Sequence, residues 1–213
     1  EKNLAEHGVL DGPDVHLFRL GLTHLGGPPS ADFTHFERVP GSSTMKPADQ
    51  RHDFAALRRW LEDPAYFFGE VRRRHGLLFP LYWALLGPIY LIAAPFLRRR
   101  LDRAFEPTRL ICDLTTLSDV VREHAVERID LLKIDVEGAE LDVLRGIASE
   151  DWPKIRQIAM ELHDLGGRLD ATRALLTERG FDQVVVERPT LSERVNISTY
   201  TVFARRRPLA PGA

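Results

Sequence analysis

The chain has 213 residues, 44% of them hydrophobic and 28% charged, with 29 Lys plus Arg against 31 Asp plus Glu and a formal charge of −2. That is one domain's worth of chain at roughly 100–200 residues per domain, and the composition excludes collagen-like, coiled-coil and wholly disordered classes. The near-neutral balance offers no electrostatic footprint for nucleic acid, and a single cysteine, Cys112, excludes an intramolecular disulfide and predicts a reducing, cytoplasmic setting.

The chain opens Glu1-Lys2-Asn3, without Met and as if in mid-helix, which predicts a domain cut from a longer one. Residues 1–63 are expected to form the N-terminal part of that domain: a strand over Val15 to Leu20, a break at Gly26-Gly27-Pro28-Pro29, and a loop from Pro40 to Thr44. A short helix over Asp53 to Glu62 follows, with Phe54, Leu57 and Leu61 on one stripe and a stop at Asp63-Pro64.

Residues 64–107 read as an apolar helical insertion. Leu77 to Leu97 is 21 residues without a charge, preceded by Arg72-Arg73-Arg74 and followed by Arg98-Arg99-Arg100. The length suits a membrane span. Pro80, Gly87-Pro88 and Pro95, however, predict two short halves, and basic flanks on both sides favour no orientation. The expectation is therefore a helical hairpin serving as a lid, a peripheral membrane contact or a homodimer interface.

Residues 108–204 alternate apolar runs with amphipathic segments, the pattern of a sheet with crossover helices. Thr116-Leu-Ser-Asp119 resembles a capping box opening a helix to about 124. Ile129 to Val136 predicts a strand covered on both faces, and Ala139 to Ile147 a return helix. Then come a strand from Ile155 to Glu161 and a helix from Asp170 to Arg179, capped by Asp170 and ended at Gly180 by a left-handed cap. Asp182 to Glu187 and Ile197 to Ala204 have no helix between them, so they should pair antiparallel at one edge. Residues 205–213 are expected to be a flexible tail.

Ligands of an open parallel sheet sit beyond the carboxyl ends of its strands, where Asp135 and Glu137 end one strand and Glu161 and His163 the next. These four are expected to share one crevice. His163 can take a proton from a hydroxyl near neutral pH and is the expected general base, with Asp135 and Glu137 positioning the reactants. A lysine inside a covered strand needs a partner, so Lys133 should meet Asp135 or Glu161. Oxygen ligation of a divalent cation by the four is a minor alternative, since their spacing is no specific metal signature.

Thr116-Leu-Ser-Asp, the run from Ile129 through Lys133-Ile-Asp-Val-Glu-Gly-Ala-Glu140 to Gly146, Glu161-Leu-His163 and Arg179-Gly-Phe181 together resemble the FkbM-type S-adenosylmethionine-dependent methyltransferases. The resemblance covers about residues 110 to 204. It implies an α/β, Rossmann-like class I methyltransferase sheet, mostly parallel with the last strand antiparallel. It also implies S-adenosylmethionine as cofactor and O-methylation of a hydroxyl on a natural product, sugar or lipid-like small-molecule acceptor. Gly21 and Leu22 would lie near the adenine and Asp135 near the methionine end of the donor, with Glu161 and Ser43 toward the acceptor. The family's glycine-rich loop and the acid that grips the ribose have no counterpart, so the sheet is expected to lack its first two strands. The alternative is a non-catalytic Rossmann-like module acting through oligomerisation or membrane attachment; a dehydrogenase would need a glycine fingerprint that is absent.

Overall fold

The computed structural model describes residues 15–47, 55, 69, 72, 76–189 and 198–207. The helix expected over 53–62 lies outside the described residues, apart from Ala55, which is helical. The described part is mixed α/β and builds two sheets. A three-stranded sheet has the order β1-β3-β2, from β1 (Gly21–Leu22), β2 (Ser30–Phe36) and β3 (Pro107–Thr115). A four-stranded sheet has the order β4-β5-β7-β6, from β4 (Leu132–Ile134), β5 (Gln157–His163), β6 (Gln183–Glu187) and β7 (Thr199–Arg205). The sheets are accompanied by helices α1 (Phe79–Ala104), α2 (Leu117–Glu123), α3 (Glu140–Arg145) and α4 (Arg168–Glu178), with short 3-10 turns at Pro40–Ser42, Gly76–Leu78 and Trp152–Lys154.

In the second sheet β4 and β5 run parallel, whereas β7 is antiparallel to both β5 and β6. The connection from β6 to β7, residues 188–198, is too short for the crossover of about a dozen or more residues that a parallel strand needs, so β7 reverses. β6 takes the edge and β7 lies inside, between β5 and β6. The core lies around this sheet: Ile134, Val143, Leu144, Ile158, Met160, Leu162, Leu176, Phe181 and Val202 are all buried. The inward residues of β5, Ile158, Met160 and Leu162, follow the period of two.

Local chemistry sets the helix ends. Thr116 caps α2, its Oγ1 accepting from Asp119 N at 3.0 Å while the hydroxyl donates to Asp119 Oδ2 at 2.6 Å. The Thr116 hydroxyl, and after it the Arg122 guanidinium, hold the Asp119 carboxyl below the ordinary carboxylate range. α4 begins differently from expectation: Gly167 is its N-cap, Asp170 lies in the first turn, and Asp164 Oδ1 accepts from Leu169 N at 3.0 Å. Asp164 is thus already in place one turn earlier. The C-terminus of α4 closes as expected, with Gly180 at φ 86° and the Phe181 amide donating to the Leu176 carbonyl.

Other expectations are corrected. Val15 to Leu20 forms no strand; β1 is only Gly21–Leu22, paired with the last residues of β3, Leu114 and Thr115. Before Gly21 the chain leaves the ladder, and Phe18 packs on the His124 ring with centroids 4.8 Å apart. β2 and β3 form a seven-pair antiparallel ladder that the sequence reading missed, although β2 buries alternate residues. β4 is shorter than Ile129 to Val136 and is covered on one face only: Leu131, Lys133 and Asp135 are exposed while Ile134 is buried. α1 runs unbroken through Pro88 and Pro95, so the expected hairpin is absent. A proline inside a helix can bend it without ending it, and α1 continues past both Pro88 and Pro95 without reversing the chain. Nor does the tail fray at once. Arg206 donates to the Ile155 and Trp152 carbonyls and lies 4.3 Å over the Phe181 ring.

The sheets meet at a tight seam. Thr23 N donates to Thr115 O and Leu25 N to Arg145 O, and a Cβ on Gly146 would collide with the Thr23 carbonyl. Ser118 reinforces the seam, its N–H on the Gly146 carbonyl and its Oγ accepting from Ala148 N at 2.7 Å.

Two stability outcomes are expected. Thr116→Ala should lose about 1 kcal/mol at neutral pH in urea unfolding. Because the Asp119 pKa is depressed on folding, its contribution is present above the unfolded value and is lost as pH falls through the folded one. The deficit should therefore shrink below about pH 4; a constant deficit would remove Asp119 from the account. Gly146→Ala, with backbone as the obstacle, should cost about 3 kcal/mol, and a change under 0.5 kcal/mol would refute the close approach.

Candidate functional site

The turn between β4 and α3 carries the acidic residues. Glu137 adopts φ 50° and Gly138 φ 98°. The left-handed conformation costs a non-glycine residue about 1 kcal/mol, so something must hold it. Thr44 Oγ1 donates to the Glu137 carbonyl at 2.5 Å, and Arg168 Nη1 to the Gly138 carbonyl at 3.3 Å. From inside, the Gly138 amide donates to Glu140 Oε1 at 2.7 Å.

Glu140 is completely buried. Its Oε1 also faces His163 Nδ1 at 3.0 Å, and its Oε2 is buried without a hydrogen-bond partner. His163 ends β5, is buried, and presents Nε2 to Glu137 Oε2 at 3.4 Å. The imidazole thus stands between two carboxylates: Glu140 orients it from the core and Glu137 separates it from the open side.

That open side is a cavity of about 690 Å³ beyond the carboxyl end of β4 and alongside β1. Asp135, Val136 and Glu137 line it from one side, Arg19, Leu20, Gly21 and Leu22 from another. Phe33, Pro40, Ser43, Met45 and Cys112 complete the wall with Phe18. The lining is mainly apolar, with carboxylates at one place, and the volume falls in the range of roughly 300–1,000 Å³ typical of small-molecule sites. Lys133 Nζ pairs with Asp135 Oδ2 at 2.9 Å, and this hydrogen bond raises the Lys133 pKa. The pair lies at the surface, not inside a covered strand, because β4 has one open face.

Five of the seven anticipated residues, Gly21, Leu22, Ser43, Asp135 and Glu137, therefore meet in one cavity. His163 reaches it only through Glu137. Glu161 does not join them: it is exposed on β5, near Lys133, and is not among the lining residues. Gly21 has a structural duty as well, since a Cβ there would press on the Leu114 side chain of β3. Ser43 Oγ accepts from Phe36 N at 3.2 Å and meets His35 Nδ1 at 3.1 Å, which fixes the loop at the cavity edge. Among the described residues no group of three His, Cys, Asp or Glu is arranged to hold a metal ion.

Sequence reasoning assigned no part to Glu140 or to the wall residues Phe33, Met45 and Cys112. For Glu140 a signal existed: with Val143 and Leu144 it forms the buried stripe of α3 at spacings of three and four, and an acid on such a stripe requires a partner. The wall residues left none, because they come from β2, its loop and β3, far apart in the chain.

Parallel strands, a reversed β7 and acidic strand ends beside a cavity fit an α/β protein of the methyltransferase-like class. Residues 93–182 match the family model described as the methyltransferase FkbM domain. The chain is 30% identical over 190 residues to methyltransferase sdnD of Sordaria araneosa, covering 85% of this chain and 58% of that protein. It is 43% identical over 90 residues to the 31-O-demethyl-FK506 methyltransferase FkbM of Streptomyces tacrolimicus, 42% of this chain and 34% of the other. It is also 41% identical over 211 residues to the AMB antimetabolite synthetase AmbE of Pseudomonas aeruginosa, 95% of this chain but 9% of the synthetase. No solved structure matches. These matches support an FkbM-type methyltransferase domain over residues 93–182. It spans 58% and 34% of the first two of these relatives.

Removing the buried carboxylate tests the site's framework. Glu140→Ala strands the Gly138 amide and His163 Nδ1 and should cost about 3 kcal/mol in denaturant unfolding. Glu140→Gln keeps an acceptor oxygen and should cost less than half as much; equal losses would show that packing, not the acceptor, matters.

Proposed function

We propose that this chain carries the acceptor side and part of the donor side of an S-adenosylmethionine-dependent O-methyltransferase acting on a hydroxyl of a natural product, sugar or lipid-like small molecule. The observation that carries the reading is the apolar cavity in which Asp135 and Glu137 meet, with His163 3.4 Å behind Glu137. The match to the FkbM methyltransferase domain implies a methyl donor, and the names of the Sordaria and Streptomyces relatives support methyl transfer.

The lining fits the donor. S-adenosylmethionine supplies, when bound, a methyl group on a positively charged sulfonium. The apolar wall of Leu20, Leu22 and Phe33 suits a flat ring and excludes water, while Asp135 and Glu137 give the cavity an anionic side that suits positive charge. In-line transfer asks the protein mainly for alignment, which the strand ends provide from a rigid scaffold.

The chain's remaining task is to receive the hydroxyl proton as the new bond forms. The Glu137 carboxylate faces the cavity and can accept the hydroxyl's hydrogen bond. His163 Nε2 lies next in line, and Glu140 on Nδ1 keeps the ring turned toward Glu137. Ser43 stands at the edge on the acceptor side; Glu161, outside the lining, has no contact to make there.

The experiment is calorimetry with S-adenosylmethionine, followed by release of S-adenosylhomocysteine with a panel of hydroxylated acceptors. Asp135→Asn should weaken donor binding at least tenfold. His163→Ala should leave donor affinity within about twofold and lower turnover by about a hundredfold, with the pH profile of kcat flattened on its acid side. Unchanged turnover in His163→Ala would remove it as the proton acceptor, and unchanged affinity in Asp135→Asn would remove the donor-side role.

A further inference from the structure

Among the described residues, α1 carries an extended run of exposed apolar side chains. Leu81, Leu85, Ile89, Leu91, Ile92 and Phe96 on this helix are 61–78% exposed. At 100° per residue these side chains, with Leu86 and Leu97, spread over about 240° of the helix circumference. Gly87 and Ala94, two small residues seven apart, are the buried ones among the described positions of α1, so only a narrow stripe faces protein. Directly after the apolar stretch come Arg98, Arg99, Arg100 and Arg103, all exposed, with Asp102 the one acid among them, giving residues 98–103 a net charge of +3. Arg99, Arg100 and Arg103 project over the same sector as Leu81, Ile92 and Ile89.

We propose that α1 is a membrane-docking element that lies in one leaflet of an anionic bilayer, its exposed apolar sector among the acyl chains and its arginines at the level of the phosphate headgroups. Two features select lipid as the occupant. A second protein chain covers a helix from one side, whereas the exposed apolar sector here exceeds half the circumference, which a fluid surround covers and a single partner helix does not. The arginines supply charge complementarity to anionic headgroups at the very end of that sector. Among the described residues no helix is long and apolar enough to cross a membrane. The inference is independent of the methyl-transfer reading, since none of these residues lines the cavity.

The test is flotation of the full chain with two kinds of vesicle, phosphatidylcholine alone and phosphatidylcholine mixed in equal parts with phosphatidylglycerol. The chain should float with the mixed vesicles and far less with the neutral ones. Each arginine near an anionic surface is worth about fivefold in partitioning, so the triple replacement R99Q, R100Q and R103Q should lower binding to mixed vesicles by about a hundredfold. Replacing Leu85, Ile89, Ile92 and Phe96 with Gln should abolish flotation while leaving the thermal transition in place, because these side chains are exposed. The proposal is overturned if the intact chain fails to float with either vesicle, if it floats equally with both, or if the four Gln replacements leave flotation unchanged. A dimer dissociated by those replacements, with no flotation of the parent, would make a second copy the occupant instead.

Discussion

A single buried carboxylate organises the functional end of this molecule. Glu140 has no access to solvent, and a charge or a polar group taken out of water must be compensated. It finds the Gly138 amide and His163 Nδ1, and those contacts dictate what surrounds them. The first holds the turn in which Glu137 takes a left-handed conformation; the second binds that turn to the end of β5. The turn that supplies the Gly138 amide to Glu140 also carries Asp135 and Glu137 to the cavity. Its second oxygen, Oε2, is buried as well and has no protein hydrogen-bond partner.

The cavity needs a second contribution, from the segment before α1. β2 and β3 form an antiparallel pair, and the loop after β2 reaches back so that Thr44 bonds both Thr34 and the Glu137 carbonyl. Lys46 adds an ion pair with Asp142 on α3 at 2.5 Å. These links carry one wall of the cavity to the acidic turn of the other sheet. They work only if the two sheets approach closely, which Gly146 permits. Site and seam are thus one piece of architecture, and the glycine that ends the family's acidic motif serves the packing of β1 against α3.

α1 shows how far local rules reach. Proline within a helix removes a hydrogen bond and clashes with the preceding turn, a sound reason to expect a break at Pro88 and again at Pro95. The helix continues through both, and Leu, Ile and Ala on either side are good enough helix formers to carry it. The sequence pattern correctly marked a long uncharged segment bounded by arginines. Whether that segment turns back on itself is a question of geometry, which a hydropathy pattern does not contain. The same holds for Val15 to Leu20, whose composition suits a strand but whose neighbours offer no ladder before Gly21.

The elements from Thr116 onward were legible because each is specified locally: a capping box at Thr116, a left-handed glycine at 180, periods of two in β5, and a short link that forces β7 to run antiparallel. The acidic strand ends were legible for the same reason, since Asp135 and Glu137 follow directly on the apolar run of β4. By itself, then, the sequence determined the α/β class, the reversed last strand and the identity of the acids. Tertiary structure alone decided which of them act together. It set Glu161 on an outer face and His163 behind Glu137, gave the buried Glu140 its partners, left Lys133 at the surface and recruited Phe33, Met45 and Cys112 as a wall. The physical reason is that burial and pairing are properties of surfaces brought together from distant parts of the chain, whereas caps, turns and periodicities are settled within a few residues.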